Sequence, residues 1–161
     1  MKTTLLNHQH KLHVNPDALT KLVRMLMQPA KRRDRNRNWG TLTVLLTDHE
    51  GMSHWHEAFF NDPSTTDVIS RAYDPLPGAP VPLDHGELIV NAEMAQDLGP
   101  EYGGVARELA FYLAHGIDHL SGGDDLTPRD RRRMHRREQR WLDIASDRGL
   151  LNDLILPGSI A

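Results

Sequence analysis

The chain has 161 residues, a net charge of −3, 39% hydrophobic and 25% charged residues, ten histidines and no cysteine. That size suits one domain around one core, and the composition excludes a disordered, collagenous or coiled-coil chain. No apolar run reaches the roughly 20 residues of a bilayer span, the N-terminus lacks a signal-peptide core, and without cysteine any metal must be held by His, Asp or Glu, so a cytoplasmic protein away from the membrane is expected.

Residues 3–14 partly alternate, with Leu6, Leu12 and Val14 on one face, which predicts a first strand carrying His8, His10 and His13. Asn15-Pro16-Asp17 supplies a cap, a first-turn proline and an early carboxylate, and Leu19, Leu22, Val23 and Leu26 predict an amphipathic helix ending near Gln28-Pro29. Residues 31–39 carry Lys31, Arg32, Arg33, Arg35 and Arg37 without apolar periodicity and are predicted as a basic loop. Leu42, Val44 and Leu46 mark a strand over 41–47, and Met52, Trp55 and Phe59 a short helix. Trp39 and Trp55 are expected as core or packing residues rather than base-stacking platforms. A short strand follows over 67–70. Pro75, Pro77, Pro80 and Pro82 make 73–84 a loop, 86–91 reads as a strand, and 92–98 as a helix stopped by Gly99-Pro100. Val105, Leu109, Tyr112 and Leu113 stripe a helix over 102–116. Thr127-Pro128 opens a last helix, with Met134, Trp141 and Ala145 buried, that stops at Arg148-Gly149 before a C-terminal tail over 150–161. This order predicts a single α+β domain, a small mixed sheet covered by helices.

Chemistry concentrates in His115-Gly116-Ile117-Asp118-His119-Leu120-Ser121-Gly122-Gly123-Asp124-Asp125. Two histidines four apart share a helix face and can hold one ion. Gly122-Gly123 lets the chain turn back, bringing Asp124 or Asp125 to a third position. Two histidines and a carboxylate leave a coordination place for water, the layout of a catalytic metal. The plainer alternative is a helix end, where histidines favour the negative pole of the dipole. His49, His54 and His56 carry less weight as ligands.

The run from His115 to Asp124 resembles the HGxLHLxGYDH signature of the YbeY family of ribosomal-RNA maturation factors. Thr66-Asp67-Val68-Ile69-Ser70 resembles the family's TNVLS strand, and Gly86 to Val90 its next strand. The resemblance implies a single α+β domain with a zincin-like metal-site helix and a metal-dependent endoribonuclease acting on ribosomal RNA at the small subunit, with no DNA partner. It also implies one metal ion per chain, usually taken as zinc. His115 and His119 match the first two ligands, and Asp125 stands where the family has its third histidine. Carboxylate oxygen also binds zinc, though its hardness draws the preference toward harder ions. Phe59 and Phe60 stand where the family has a Tyr-Arg pair, and Arg71 is the nearby candidate to replace that arginine. Gly123 replaces a tyrosine, and Asp118 an apolar residue.

Gly116 occupies the place of the glutamate base in HExxH peptidases. A metal-bound water needs no such base to reach neutral pKa, and Asp118 and Asp124 are the nearest candidate proton acceptors. Asp118 can also be a solvent-facing helix residue, and Asp124 a brace for the turn or a ligand histidine. Seven arginines lie between Arg129 and Arg140. Arg129, Arg132 and Arg136, close in sequence to Asp125, are the predicted RNA contacts, since guanidinium binds phosphate bidentately; a solvated helix face is the alternative. A non-catalytic RNA-binding assembly factor and a hydrolase of another substrate remain the competing functions.

Overall fold

The computed structural model describes residues 1–158. Four strands, β1 (Lys2–Asn7), β2 (Trp39–Thr47), β3 (Val68–Tyr73) and β4 (Asp84–Asn91), form one sheet in the order β1-β2-β4-β3. β1, β2 and β4 are parallel, and β3 is antiparallel to β4 at the edge. The helices are α1 (Pro16–Arg33), α2 (His49–Phe60), α3 (Ala92–Leu98), α4 (Val105–Leu120) and α5 (Pro128–Asp147). Among the described residues no helix is long and apolar enough to cross a membrane.

Strand alternation divides the interior. Leu42, Val44, Leu46, Leu88 and Val90 join the main core under α1, α4 and α5, while Leu45, Ile69 and Ile89 meet Met52 and Phe59 of α2 on the opposite face. Gly116 lets α4 lie against the sheet: a Cβ there would stand 2.8 Å from Leu88 and 3.0 Å from Val68. The helix therefore continues past Gly116 to Leu120. It starts at Val105, since Gly104 at φ 108° is not helical.

Two further expectations need correction. The first strand ends at Asn7, because the buried Gln9 side chain accepts from Lys11 N and Leu12 N and donates to Leu12 O, replacing ladder bonds with a local turn. His8, His10 and His13 thus lie outside it, and Val14 forms only an isolated bridge to Ile155. α1 continues through Pro29, so Lys31, Arg32 and Arg33 form its last turn rather than a loop. Buried Ala30 and the bonds from Arg33 to Ser121 and the Asp118 carbonyl hold that turn. The tryptophans behave as expected: Trp39 is buried in the core, and Trp55, 36% exposed, packs by stacking on Phe59. Residues 150–156 return to the start of α1, with Leu154 buried and its carbonyl accepting from Asn15 N.

Candidate metal centre

The last two turns of α4 present His115 and His119 side by side, with ring centroids 4.6 Å apart. Gly122, at φ 90°, takes the chain into the left-handed region that favours glycine. Gly123 follows with its N–H on the Asp118 carbonyl, so tightly that a Cβ would stand 2.5 Å from the Asp118 carboxylate. Tyrosine cannot occupy this turn as built. The returning chain brings Asp125 Oδ2 to 3.4 Å from His119 Nε2 and 3.8 Å from His115 Nε2. One ligand atom from each of the three residues lies within 4.8 Å of the others.

The other ring nitrogens are committed. His115 Nδ1 lies 2.9 Å from Glu138 Oε1 on α5, and His119 Nδ1 lies 3.1 Å from the Gly123 carbonyl. Both acceptors place the proton on Nδ1 and leave both Nε2 lone pairs facing Asp125. Burial pulls the His115 imidazolium down, but the bond to Glu138 and the charges of Glu138, Asp67 and Asp125 outweigh it and raise its pKa. Burial raises the Glu138 carboxyl against the opposing pull of His115. Ligands about 2.0–2.1 Å from a tetrahedral ion stand about 3.3 Å apart. The observed spacings and the donor set fit one such ion.

Asp118 is neither solvent-facing nor free to act as a base. It is fully buried, and its carboxylate meets Arg33 of α1 and Arg137 of α5. Asp124 is exposed and accepts from Leu126 N, which braces the turn. Glu138 and the Gly123 carbonyl orient the histidines. Sequence reasoning missed Glu138, although it lies on the same α5 stripe as Met134, Trp141 and Ala145. An acid at a core position was the available signal.

Two cavities flank the cluster. One, of about 530 Å³, runs between α4 and α5 and includes Phe111, His115, Asp125, Arg131, Arg132, Arg136 and Glu138. Arg131 also donates to the Asp125 carbonyl. Of the three predicted RNA contacts, Arg132 and Arg136 line this cavity, while Arg129 is exposed outside it. The second cavity, of about 660 Å³, reaches the β3 edge and is walled by His56, Phe60, Thr66, Ser70, His119 and Asp125. His56 enters this wall only through tertiary folding, its Nδ1 held by the Ser64 carbonyl. Arg71 lies on the α2 face of the sheet, its guanidinium 3.8 Å from the Phe59 ring centroid and 5.2 Å from that of Tyr73.

A family model described as Endoribonuclease YbeY matches residues 4–146. The chain belongs to the YbeY family. A relative from Bacillus mycoides named Endoribonuclease YbeY is 30% identical over 135 residues, covering 79% of this chain and 86% of its own. A Listeria monocytogenes YbeY is 28% identical over 155 residues, covering 89% and 94%. A longer Myxococcus xanthus YbeY is 33% identical over 114 residues, 70% of this chain but 38% of its own. A Thermotoga maritima protein solved in solution shares the fold with a TM-score of 0.60 at 19% identity, covering 97% of this chain and 98% of its own. Within the YbeY fold, Asp125 closes the histidine cluster where the family signature has histidine.

Proposed function

We propose that this chain is a metal-dependent endoribonuclease of ribosomal-RNA maturation, working in the cytoplasm on RNA of the small ribosomal subunit and holding one zinc ion through His115, His119 and Asp125. The observation that carries this reading is the convergence of two Nε2 lone pairs and one carboxylate, with both Nδ1 atoms already bonded, beside an arginine-lined cavity. Bound there, zinc supplies Lewis acidity and an activated water. Glu138 and the Gly123 carbonyl fix the imidazoles. Arg131, Arg132 and Arg136 bring the phosphate chain alongside and stabilise charge that develops on phosphoryl oxygen. Gly116 faces the sheet, where a glutamate side chain does not fit, which argues against an HExxH peptidase.

The test pairs metal analysis of the purified protein with cleavage of a structured ribosomal-RNA fragment, with and without chelator. About one zinc per chain and chelator-sensitive cleavage, both lost in the double variant His115→Ala/His119→Ala, are expected. Stoichiometric metal in that variant overturns the ligand set. RNA binding without cleavage favours the non-catalytic assembly factor, a reading that the position of Arg71 on the far sheet face supports.

A further inference from the structure

A third cavity, of about 750 Å³, lies along α4 beyond Phe111, whose ring also walls the arginine-lined cavity and stacks 5.9 Å from His115. Its walls include the exposed Tyr102 and two buried residues with polar ends, Glu108 and Tyr112. Tyr112 is 2% exposed, and its hydroxyl is buried. Glu108, 8% exposed, sits one helical turn away on the same face. The adjacent Arg107 is bonded to Gln139 and Asp143 and pairs with those instead. Glu108 and Tyr112 interact with one another, yet the buried hydroxyl has no well-formed hydrogen bond. A buried polar group left so costs stability, and a ligand that completes the hydrogen bonding of the pair is a reason to keep it.

We infer that this cavity is a base-recognition subsite for an unpaired guanine of the RNA substrate, read by the Glu108 carboxylate and the Tyr112 hydroxyl. The inference rests on the RNA reading above. Proteins read unpaired RNA bases by stacking on aromatic rings and hydrogen-bonding the Watson–Crick edge. Phe111 and Tyr102 offer the rings. A carboxylate accepts two hydrogen bonds and a tyrosine hydroxyl donates one. Guanine presents N1–H and N2–H as adjacent donors beside the O6 acceptor; adenine, cytosine and uracil lack that donor pair. Seven residues of helix separate Glu108 from His115, roughly 10 Å along the axis, so a base here belongs to a nucleotide near the one at the metal centre. Burial, aided by the charge of Asp67, raises the Glu108 carboxyl pKa against the opposing hydrogen-bond interaction with Tyr112.

The experiment measures binding of the four nucleoside 5′-monophosphates, and of inosine monophosphate, to the chelator-treated full chain. The phosphate is common to all, so differences report the base. Guanosine monophosphate should bind at least about tenfold more tightly than the other three, as one bidentate base contact provides. Inosine, lacking the N2 amino group, should lose most of that preference. Glu108→Gln turns an acceptor into a donor and should level the affinities while its melting transition stays cooperative and its metal content stays that of the parent. Equal affinity for all four nucleotides, or a guanine preference that survives Glu108→Gln, overturns the subsite. Loss of RNA cleavage by the parent with the guanine preference intact would fall on the nuclease reading alone.

Discussion

Glu138 accepts a hydrogen bond from the same ring that offers its other nitrogen to Asp125, so one buried carboxylate sets both the tautomer and the orientation of His115. Glu138→Gln keeps the shape but replaces a charged acceptor, and zinc affinity should fall about 10- to 100-fold, read by competition against a metal-sensitive dye. Glu108 gives a pH test. Its raised pKa means the folded chain holds that proton at pH values where the unfolded chain has released it. Stability from this group is therefore present at low pH and declines as pH rises from the ordinary value of 4.5 through the folded value. Glu108→Gln should flatten that decline, seen as a smaller difference between denaturation midpoints at about pH 5 and pH 8. An unchanged difference would assign the slope to other groups. Two charged residues at core positions, Asp118 and Glu138, were in plain view in the sequence. Their partners were not, because Arg33 lies 85 residues from Asp118 and His115 lies 23 from Glu138.

The elements around the centre are held by charge as well as apolar contact. Asp118 on α4 gathers Arg33 from the end of α1 and Arg137 from α5, tying three helices behind the histidines. Removing one partner of such a buried group leaves uncompensated charge, so Asp118→Ala should cost about 3–5 kcal/mol in denaturant unfolding. This tie also explains why Pro29 does not end α1. Local sequence gives the proline veto, while Ala30 burial and the Arg33 bonds come from distant elements. The α5 arginines divide by task. Arg137 is structural, Arg129 is outside the cavities, and Arg131, Arg132 and Arg136 line one. Replacing those last three by Ser should weaken RNA binding and reduce the salt slope by about 2, at roughly 0.7 per phosphate contact with single strands. Arg129→Ser alone should change the slope little. Equal effects from both variants would mean that the whole helix face, rather than the cavity, attracts RNA.

At the scale of the molecule, periodicity located the strand segments 41–47 and 86–91 within β2 and β4, and capping residues marked the start of α1 and α5, since those signals are local. Sheet order, the two-sided use of β4 and the meeting of Asp125 with His119 depend on long-range closure and were not readable from spacing alone. The cluster that closure creates bridges α4 and the α4–α5 connection, so an ion bound there staples two segments of the native chain and has no comparable site in the unfolded one. Zinc at about 100 times its dissociation constant should then add about 2.7 kcal/mol, raising Tm by roughly 5–10 °C for a chain this long. The Asp variants decide which carboxylate takes part. Asp125→Ala leaves two imidazoles and should abolish most of the Tm gain, whereas Asp124→Ala removes only the bond to Leu126 N and should keep it. Asp125→His restores the family's third nitrogen ligand and should keep the gain while shifting preference toward zinc over manganese, because imidazole is the softer donor. If zinc raises Tm equally in all three variants, neither aspartate binds it, and the pair His115 and His119 must hold zinc with other ligands or act only as the end of α4.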